Sequence, residues 1–379
     1  MDEQKKPAIS VVVPVYNGAE FLSATLDSIF QQTFQNFELI CVDDGSNDQT
    51  PAILREYQKR YSGQLKIISQ RNSGPGVARN NGIKQARGQY LVMLDADDLF
   101  EPNMFEIAYR KIVADQGDLV VFRSNEYISD EGRYLSTDFT INRALLPKRE
   151  PFAGHEIKRD IFGAFIGWPW DKIYRTDFVR ANQLKFQDLY SSEDALFVFM
   201  SIVRAERIST LDDVLVHHRR VTSSVSHTRE TNWDSFYKAL QAMREQLYTW
   251  QVYERYEQDF VNYALNFSLW HLMTLSGEAY LQLFDKLKTS WWKELGILGK
   301  GEEYFYNAKE YELYTQVLEC TPCEFQYFLR MKTERELSLR DQRLEQIEHT
   351  PTWRIGSFML TPVRVLKRIL LKMQSSHRG

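Results

Sequence analysis

Five short apolar runs recur along the first third of the chain, at Ile9–Val15, Phe37–Val42, Leu65–Ser69, Tyr90–Leu94 and Leu119–Phe122, with helical periodicity between them. That alternation predicts an α/β fold with a mostly parallel sheet flanked by helices, because each parallel crossover must return the chain across the sheet. Between the first two runs Leu22, Leu26, Ile29 and Phe30 fall at i, i+4, i+7 and i+8, one face of a helix that opens after Asn17 and Gly18. Asp48, Thr50 and Pro51 mark the next helix, a cap followed by proline in the first turn. In open sheets of this kind ligands bind beyond the carboxyl ends of the strands. The segments there are Tyr16-Asn17-Gly18, Asp43-Asp44-Gly45-Ser46, Gln70 to Gly76 and Asp95-Ala96-Asp97-Asp98, and two of the four are carboxylate clusters.

Asp95, Asp97 and Asp98 are three carboxylates in four positions, which repel one another unless a cation joins them. Mg²⁺ and Mn²⁺ are commonly held by one or two carboxylates together with substrate phosphate oxygens, so the cluster points to a divalent metal bridging a diphosphate. The alternative is an acidic turn that caps the helix near Pro102. Asp44 is placed to accept a hydrogen bond from a base imide such as that of uracil; an Asx turn running into the Asp48 cap explains the same residues. Ser73-Gly74-Pro75-Gly76 allows close approach to a phosphate, with Arg79 as charge partner for either the diphosphate or the acidic cluster.

Taken in order, ISVVVPVYN (Ile9–Asn17), FELICVDDGSND (Phe37–Asp48), NSGPGVARNNG (Asn72–Gly82), GQYLVMLDADD (Gly88–Asp98) and SEDALF (Ser192–Phe197) resemble the family 2 glycosyltransferases, inverting enzymes of the GT-A fold. The resemblance spans about residues 8 to 225 and implies a nucleotide-sugar donor, most often a UDP-sugar, and a divalent metal. Carried across, it implies that Pro14, Tyr16 and Asp44 frame the base, that Asp95 with Ala96 lies near the ribose, and that Asp97 meets the metal with Asp98 beside it. It also assigns the general base to the late acidic pair, with Asp194 first and Glu193 second. An inverting transfer needs one such base to deprotonate the acceptor hydroxyl, although acids after Ser191 and Ser192 also suit a helix start. Trp168 and Trp170 either stack on a sugar or fill core. His217 and His218 follow the apolar run Val214–Val216 and should face opposite ways if the strand continues, one of them toward the diphosphate or metal.

Beyond about Arg229 long helical segments take over, at Asn232–Leu247 and Phe260–Leu275, so the expected domains are 1–228 (nucleotide-sugar binding and catalysis), 229–333 (helical) and 334–379 (a charged helix and a basic tail). From Thr350 on there are six lysines and arginines and no acidic residue, interleaved with apolar side chains from Trp353 to Leu371. Such a segment suits an anionic membrane surface; docking on its own helices or on a second copy of the chain, a homo-oligomer, is the alternative. Lys+Arg 47 against Asp+Glu 51 gives a net charge of −4, without the global basic field that drives nucleic-acid binding. Three cysteines, with Cys320 and Cys323 lacking a second metal-binding pair, predict neither a disulfide scaffold nor a zinc site. With no apolar run of membrane-spanning length, the expected location is cytoplasmic, peripheral on the inner membrane face if the tail binds lipid. Neither a dinucleotide-binding G-x-G-x-x-G nor a P-loop follows Val13. A nucleotidyltransferase and a noncatalytic scaffold of the same fold are the rival readings, the former weakened by the missing lysine-bearing glycine loop. A glycan or lipid-linked acceptor completes the expectation.

Overall fold

Apolar residues at nearly every position of the early runs dictate burial on both faces, which only a helix-covered parallel sheet provides. The computed structural model, which describes residues 6–220 and 230–348, has this arrangement. Strands β1 (Ile9–Val15), β2 (Phe37–Asp43), β3 (Leu65–Ser69) and β4 (Tyr90–Met93) pair in parallel, with β1 between β2 and β4 and β3 outside β2. Helices α1 (Leu22–Phe30), α2 (Thr50–Arg60) and α3 (Pro75–Gln85) make the crossovers. The predicted α1 stripe is buried throughout, and Phe30 stacks on Tyr61 with ring centroids 3.7 Å apart.

After β4 the chain turns through the short β5 (Leu99–Phe100) and α4 (Met104–Ala114) into β6 (Leu119–Ile128) and β7 (Arg133–Ser136). It then adds β8 (Lys172–Arg175), α5 (Thr176–Ala181), α6 (Asp194–Arg204) and β9 (Ile208–Arg220). The sheet order is β3-β2-β1-β4-β8-β6-β9-β5, with β7 paired to β6. Strand β8 lies antiparallel to both β4 and β6, and β9 is parallel to β6. Two reversals cancel, so β6 and β9 point the same way as β1 to β4, and six carboxyl ends share one edge. The sheet is therefore mixed, its parallel half being the part that the apolar runs announced.

Two strands lie where the sequence reads as a mixed loop region (Asn125 to Pro151) and a dense aromatic stretch (Gly163 to Arg175). β6 continues through Ser124, Asn125 and Glu126, polar positions held by pairing with β9 and with β7, and β8 ends the aromatic segment. Neither shows the apolar alternation of a half-buried strand.

The helical part begins with α7 (Ser235–Thr249), α8 (Tyr253–Thr274) and α9 (Gly277–Lys286), and ends with helices at Ala308–Glu319 and Pro322–Glu348. The last of these absorbs the charged segment from Glu334. By contacts the chain divides into two compact units, the second starting at Thr315. No helix among the described residues is long and apolar enough to cross a membrane. The basic tail from Thr350 and the segment 221–229 lie outside the described residues.

Candidate active site

The turn after β1 and the turn after β2 are sewn together by short polar side chains. Asn17, at φ 48°, donates its backbone N–H to Ser46 Oγ (2.9 Å) while its Oδ1 accepts from the Asn47 N–H (2.8 Å). Asp48 Oδ2 accepts from Ala19 N–H (3.0 Å) and its Oδ1 caps α2 through Thr50 N–H (2.9 Å). Gly45, at φ 79°, supplies the left-handed residue this turn requires. Pro14 is half-buried and Tyr16 is 50% exposed beside it. Asp44 is buried and its carboxylate accepts from Gln70 Nε2 (2.8 Å), Ser73 N–H (2.9 Å) and Gly74 N–H (2.8 Å). It thus fixes the loop after β3 at the strand edge.

The acidic turn after β4 is held from below by α1, whose Thr25 hydroxyl reaches the carbonyls of Ala96 and Asp98 (2.9 and 2.8 Å). Its three carboxylates have different surroundings. Asp95 is half-buried and accepts from Arg79 Nη2 (2.6 Å). Asp97 is half-buried and meets no side-chain donor among the described residues; burial, with the charges of Asp98 and Asp95, pushes its carboxyl up to about 7 against the pull of His218. Asp98 is fully buried, with Oδ1 on His218 Nδ1 (3.0 Å) and the Arg219 N–H (2.9 Å), while Oδ2 has no hydrogen-bond partner among the described residues. Burial disfavours the His218 cation, but its bond to Asp98 and the nearby carboxylates outweigh this and push it up to about 9. Arg219 braces the same turn, donating Nε to the Asp97 carbonyl (2.7 Å) between the Phe21 and Tyr127 rings.

As the strand alternation predicts, His217 faces away from His218, toward Asn125 and Glu101. Trp168 and Trp170 stack on each other (4.6 Å) and Trp170 stacks on His218 (5.2 Å), so the pair walls the acidic turn as packing. Behind them Lys172, fully buried, donates to Asp171 Oδ1 (2.5 Å) and to the carbonyls of Ile166 and Trp168 (3.0 and 2.8 Å). Burial pushes Asp171 up to about 6 and Lys172 down.

The late acidic pair sits at the start of α6, against α3. Glu193 is buried and accepts from Arg79 Nη1 (2.8 Å), so one guanidinium grips Asp95 and Glu193. Asp194, the first residue of α6, is half-buried; burial and the neighbouring Glu193 push its carboxyl up to about 7, opposed by Arg79. The sequence gives no partner for Thr25, Arg219, Lys172 or Asn80: Asn80 lies within the quoted segment Asn72–Gly82, Arg219 follows His218 and Lys172 follows the tryptophan pair, but only tertiary contacts assign their partners. Among the described residues no group of three or more His, Cys, Asp or Glu side chains is gathered to hold a metal by itself.

Residues 10–179 match the model of the glycosyl transferase family 2. A Bacillus subtilis protein called uncharacterized glycosyltransferase EpsJ is 33% identical over 58% of this chain and 63% of its own length. The Staphylococcus aureus poly(ribitol-phosphate) beta-N-acetylglucosaminyltransferase TarS is 28% identical over 54% of this chain and 34% of its own. The crystal structure of S. aureus TarS 1-349 in complex with UDP superposes with a TM-score of 0.57 at 26% identity, covering 74% of this chain and 79% of that one. The chain spans 59% to 63% of the length of three of the curated relatives it matches.

Proposed function

We propose that this chain, whose residues 10–179 match the glycosyl transferase family 2 model, moves a sugar from a nucleotide-sugar, a UDP-sugar, to a hydroxyl of a glycan or lipid-linked acceptor in surface-polysaccharide synthesis, with inversion. The observation that carries the reading is the convergence of two acidic segments about a hundred residues apart, one after β4 and one at the start of α6, joined through Arg79. UDP in the TarS crystal structure supports the choice of nucleotide. The beta linkage in the TarS name supports inversion, since a β product from an α-linked donor requires it.

In this reading Pro14, Tyr16 and Asp44 frame the base, Asp95 and Ala96 border the ribose, and Asp97 holds a divalent Mn²⁺ or Mg²⁺. Asp98 supports Asp97 and offers its unpartnered Oδ2. The residues fit a cation: the mutual repulsion that raises Asp97 is relieved by one, and the sparse protein ligand set suits an ion completed by phosphate oxygens. When bound, the ion supplies charge neutralisation for the departing diphosphate. Asp194 takes the acceptor proton as the hydroxyl oxygen bonds to the anomeric carbon, and the carbon–diphosphate bond breaks with its electron pair leaving on the diphosphate oxygen. Glu193 is engaged by Arg79 and Asp194, among the described residues, by no side-chain donor, which favours Asp194 as the base. The basic segment 350–379 is proposed to rest on an anionic membrane surface, tested by whether its deletion releases the protein from the membrane fraction.

The experiment is a donor screen with purified protein and Mn²⁺, following UDP release from a panel of UDP-sugars with and without acceptor. Acceptor-dependent UDP release that is lost in Asp97→Ala and Asp194→Asn supports the reading; release unchanged in both variants rejects it.

A further inference from the structure

We infer that Arg79 is a positioning residue for the base, tying the segment that carries Asp194 to the donor-side carboxylate Asp95, and is not a ligand of the donor diphosphate. The inference rests on the proposed base role of Asp194.

The Arg79 side chain is only 6% exposed. Nη1 and Nη2 are each bonded to a carboxylate, at 2.8 Å to Glu193 and 2.6 Å to Asp95, and Nε is enclosed. A diphosphate could recruit this guanidinium only by breaking one of two buried charge-assisted bonds, the costlier kind to lose. Its planar fork instead matches two carboxylates at once, which a lysine cannot do.

The rest of α3 serves the same joint. Asn80 exchanges two hydrogen bonds with the Phe186 backbone, Nδ2 to its carbonyl (2.8 Å) and Oδ1 from its N–H (2.9 Å). Gly76 lies so close to residues 187–193 that an added Cβ would stand 2.1 Å from the Gln187 carbonyl oxygen and 3.2 Å from Glu193 Cβ. The Arg79 guanidinium rests over Phe186 (5.2 Å), whose ring stacks on Phe197 of α6 (4.3 Å). Segment 186–194 is thereby docked on α3 at its start by Asn80, along its length by the absent Gly76 side chain, and at its end by Arg79. The last of these also reaches Asp95, so the residue preceding the base and the donor-side carboxylate share one cation.

Arg79→Gln in the full chain removes the tie and leaves a shorter, neutral polar side chain. Three readouts separate positioning from donor binding: UDP affinity by calorimetry with Mn²⁺, turnover by UDP release, and amide exchange of residues 186–194. Positioning predicts UDP affinity within about threefold of the parent and turnover about 100-fold lower, the scale of loss that an ångström of misplacement produces. It also predicts faster exchange across 186–194.

The acid limb of turnover should move to higher pH, because the nearest cation acting on Asp194 is gone. Its other charged or titratable neighbours are Glu193, Asp95, Lys172 and Tyr174 of β8, and Tyr263 of α8. Arg79→Gln combined with Glu193→Gln should be no worse than the more severe single variant, as expected of residues acting through one bond. Should Arg79→Gln fail to fold, Arg79→Lys, which keeps the charge but loses the fork, must give the same pattern at smaller size.

UDP affinity reduced tenfold or more with exchange of 186–194 unchanged overturns the inference in favour of diphosphate binding, and unchanged turnover and exchange overturn it outright. An active Asp194→Asn enzyme rejects the base reading whatever Arg79→Gln does, so the two failures are distinguishable.

Discussion

Replacing Asp194 with Asn removes the proposed proton acceptor while conserving shape, and the surroundings of Asp194 set the size and pH dependence of the effect. With its carboxyl pushed up to about 7 by burial and by Glu193, the ionised base is about a tenth of the population at pH 6 and about nine-tenths at pH 8, so parent turnover should rise about tenfold between them. Activity belongs to the alkaline side because only the carboxylate accepts a proton. Asp97 titrates in the same range when free; saturating Mn²⁺ keeps it ionised and leaves the limb to Asp194. Asn at 194 should lower turnover by about 10² to 10⁴ at pH 8, the usual contribution of a positioned base, and flatten the profile.

Stability moves the other way. A folded-state pKa raised above the unfolded one makes ionised Asp194 a cost that grows from the ordinary carboxylate range up to about 7 and stays constant above. Asp194→Asn should therefore melt higher than the parent at pH 8 and at the same temperature near pH 4. The assay is UDP release at saturating donor across pH 5.5 to 8.5 (about the range that brackets the expected limb), with melting curves on the same samples. A parent profile flat between pH 6 and 8, or an Asn variant within a few-fold of the parent, refutes the reasoning.

Asp97→Ala should leave UDP affinity identical with and without Mn²⁺ in calorimetry, whereas the parent binds UDP more tightly with the ion. Lys172→Met strands the fully buried Asp171 and should cost about 3 to 5 kcal/mol in urea unfolding, most of it recovered when Asp171 is also made Leu. Gly76→Ala forces a methyl group against the Gln187 carbonyl and should cost about 1 to 3 kcal/mol with loss of turnover; Gly63→Ala, where a Cβ meets nothing within 4 Å, should match the parent in both measurements.

β1, β2 and β4 were readable because each is apolar at most positions, and β3 from Leu65, Ile67 and Ile68; each ends in turn chemistry, so Tyr16, Asp44 and Asp95 could be assigned to one edge before any contact was known. The α1 stripe and the Asp48 cap were readable from local periodicity for the same reason. Partners were not. Asp95, Asp97 and Asp98 look equivalent in sequence, yet Asp98 turns into the protein toward His218, Asp95 toward Arg79, and Asp97 meets no side-chain donor among the described residues. The Arg79–Glu193 bond spans 114 positions, a separation over which no local pattern carries information. β8 was hidden inside an aromatic segment, and the polar end of β6 has no alternation to reveal it, since pairing with β7 and β9 holds it.

The central claim is that the carboxylates after β4 and at the start of α6 share one donor crevice. Co-crystallising the full chain with UDP and Mn²⁺ and locating the metal from its anomalous signal tests it directly. The account predicts a single metal peak in contact with Asp97 and the diphosphate oxygens, with Asp194 facing the outer side of that diphosphate. UDP bound with its diphosphate away from the β4 edge, or a metal peak remote from Asp97, would contradict it.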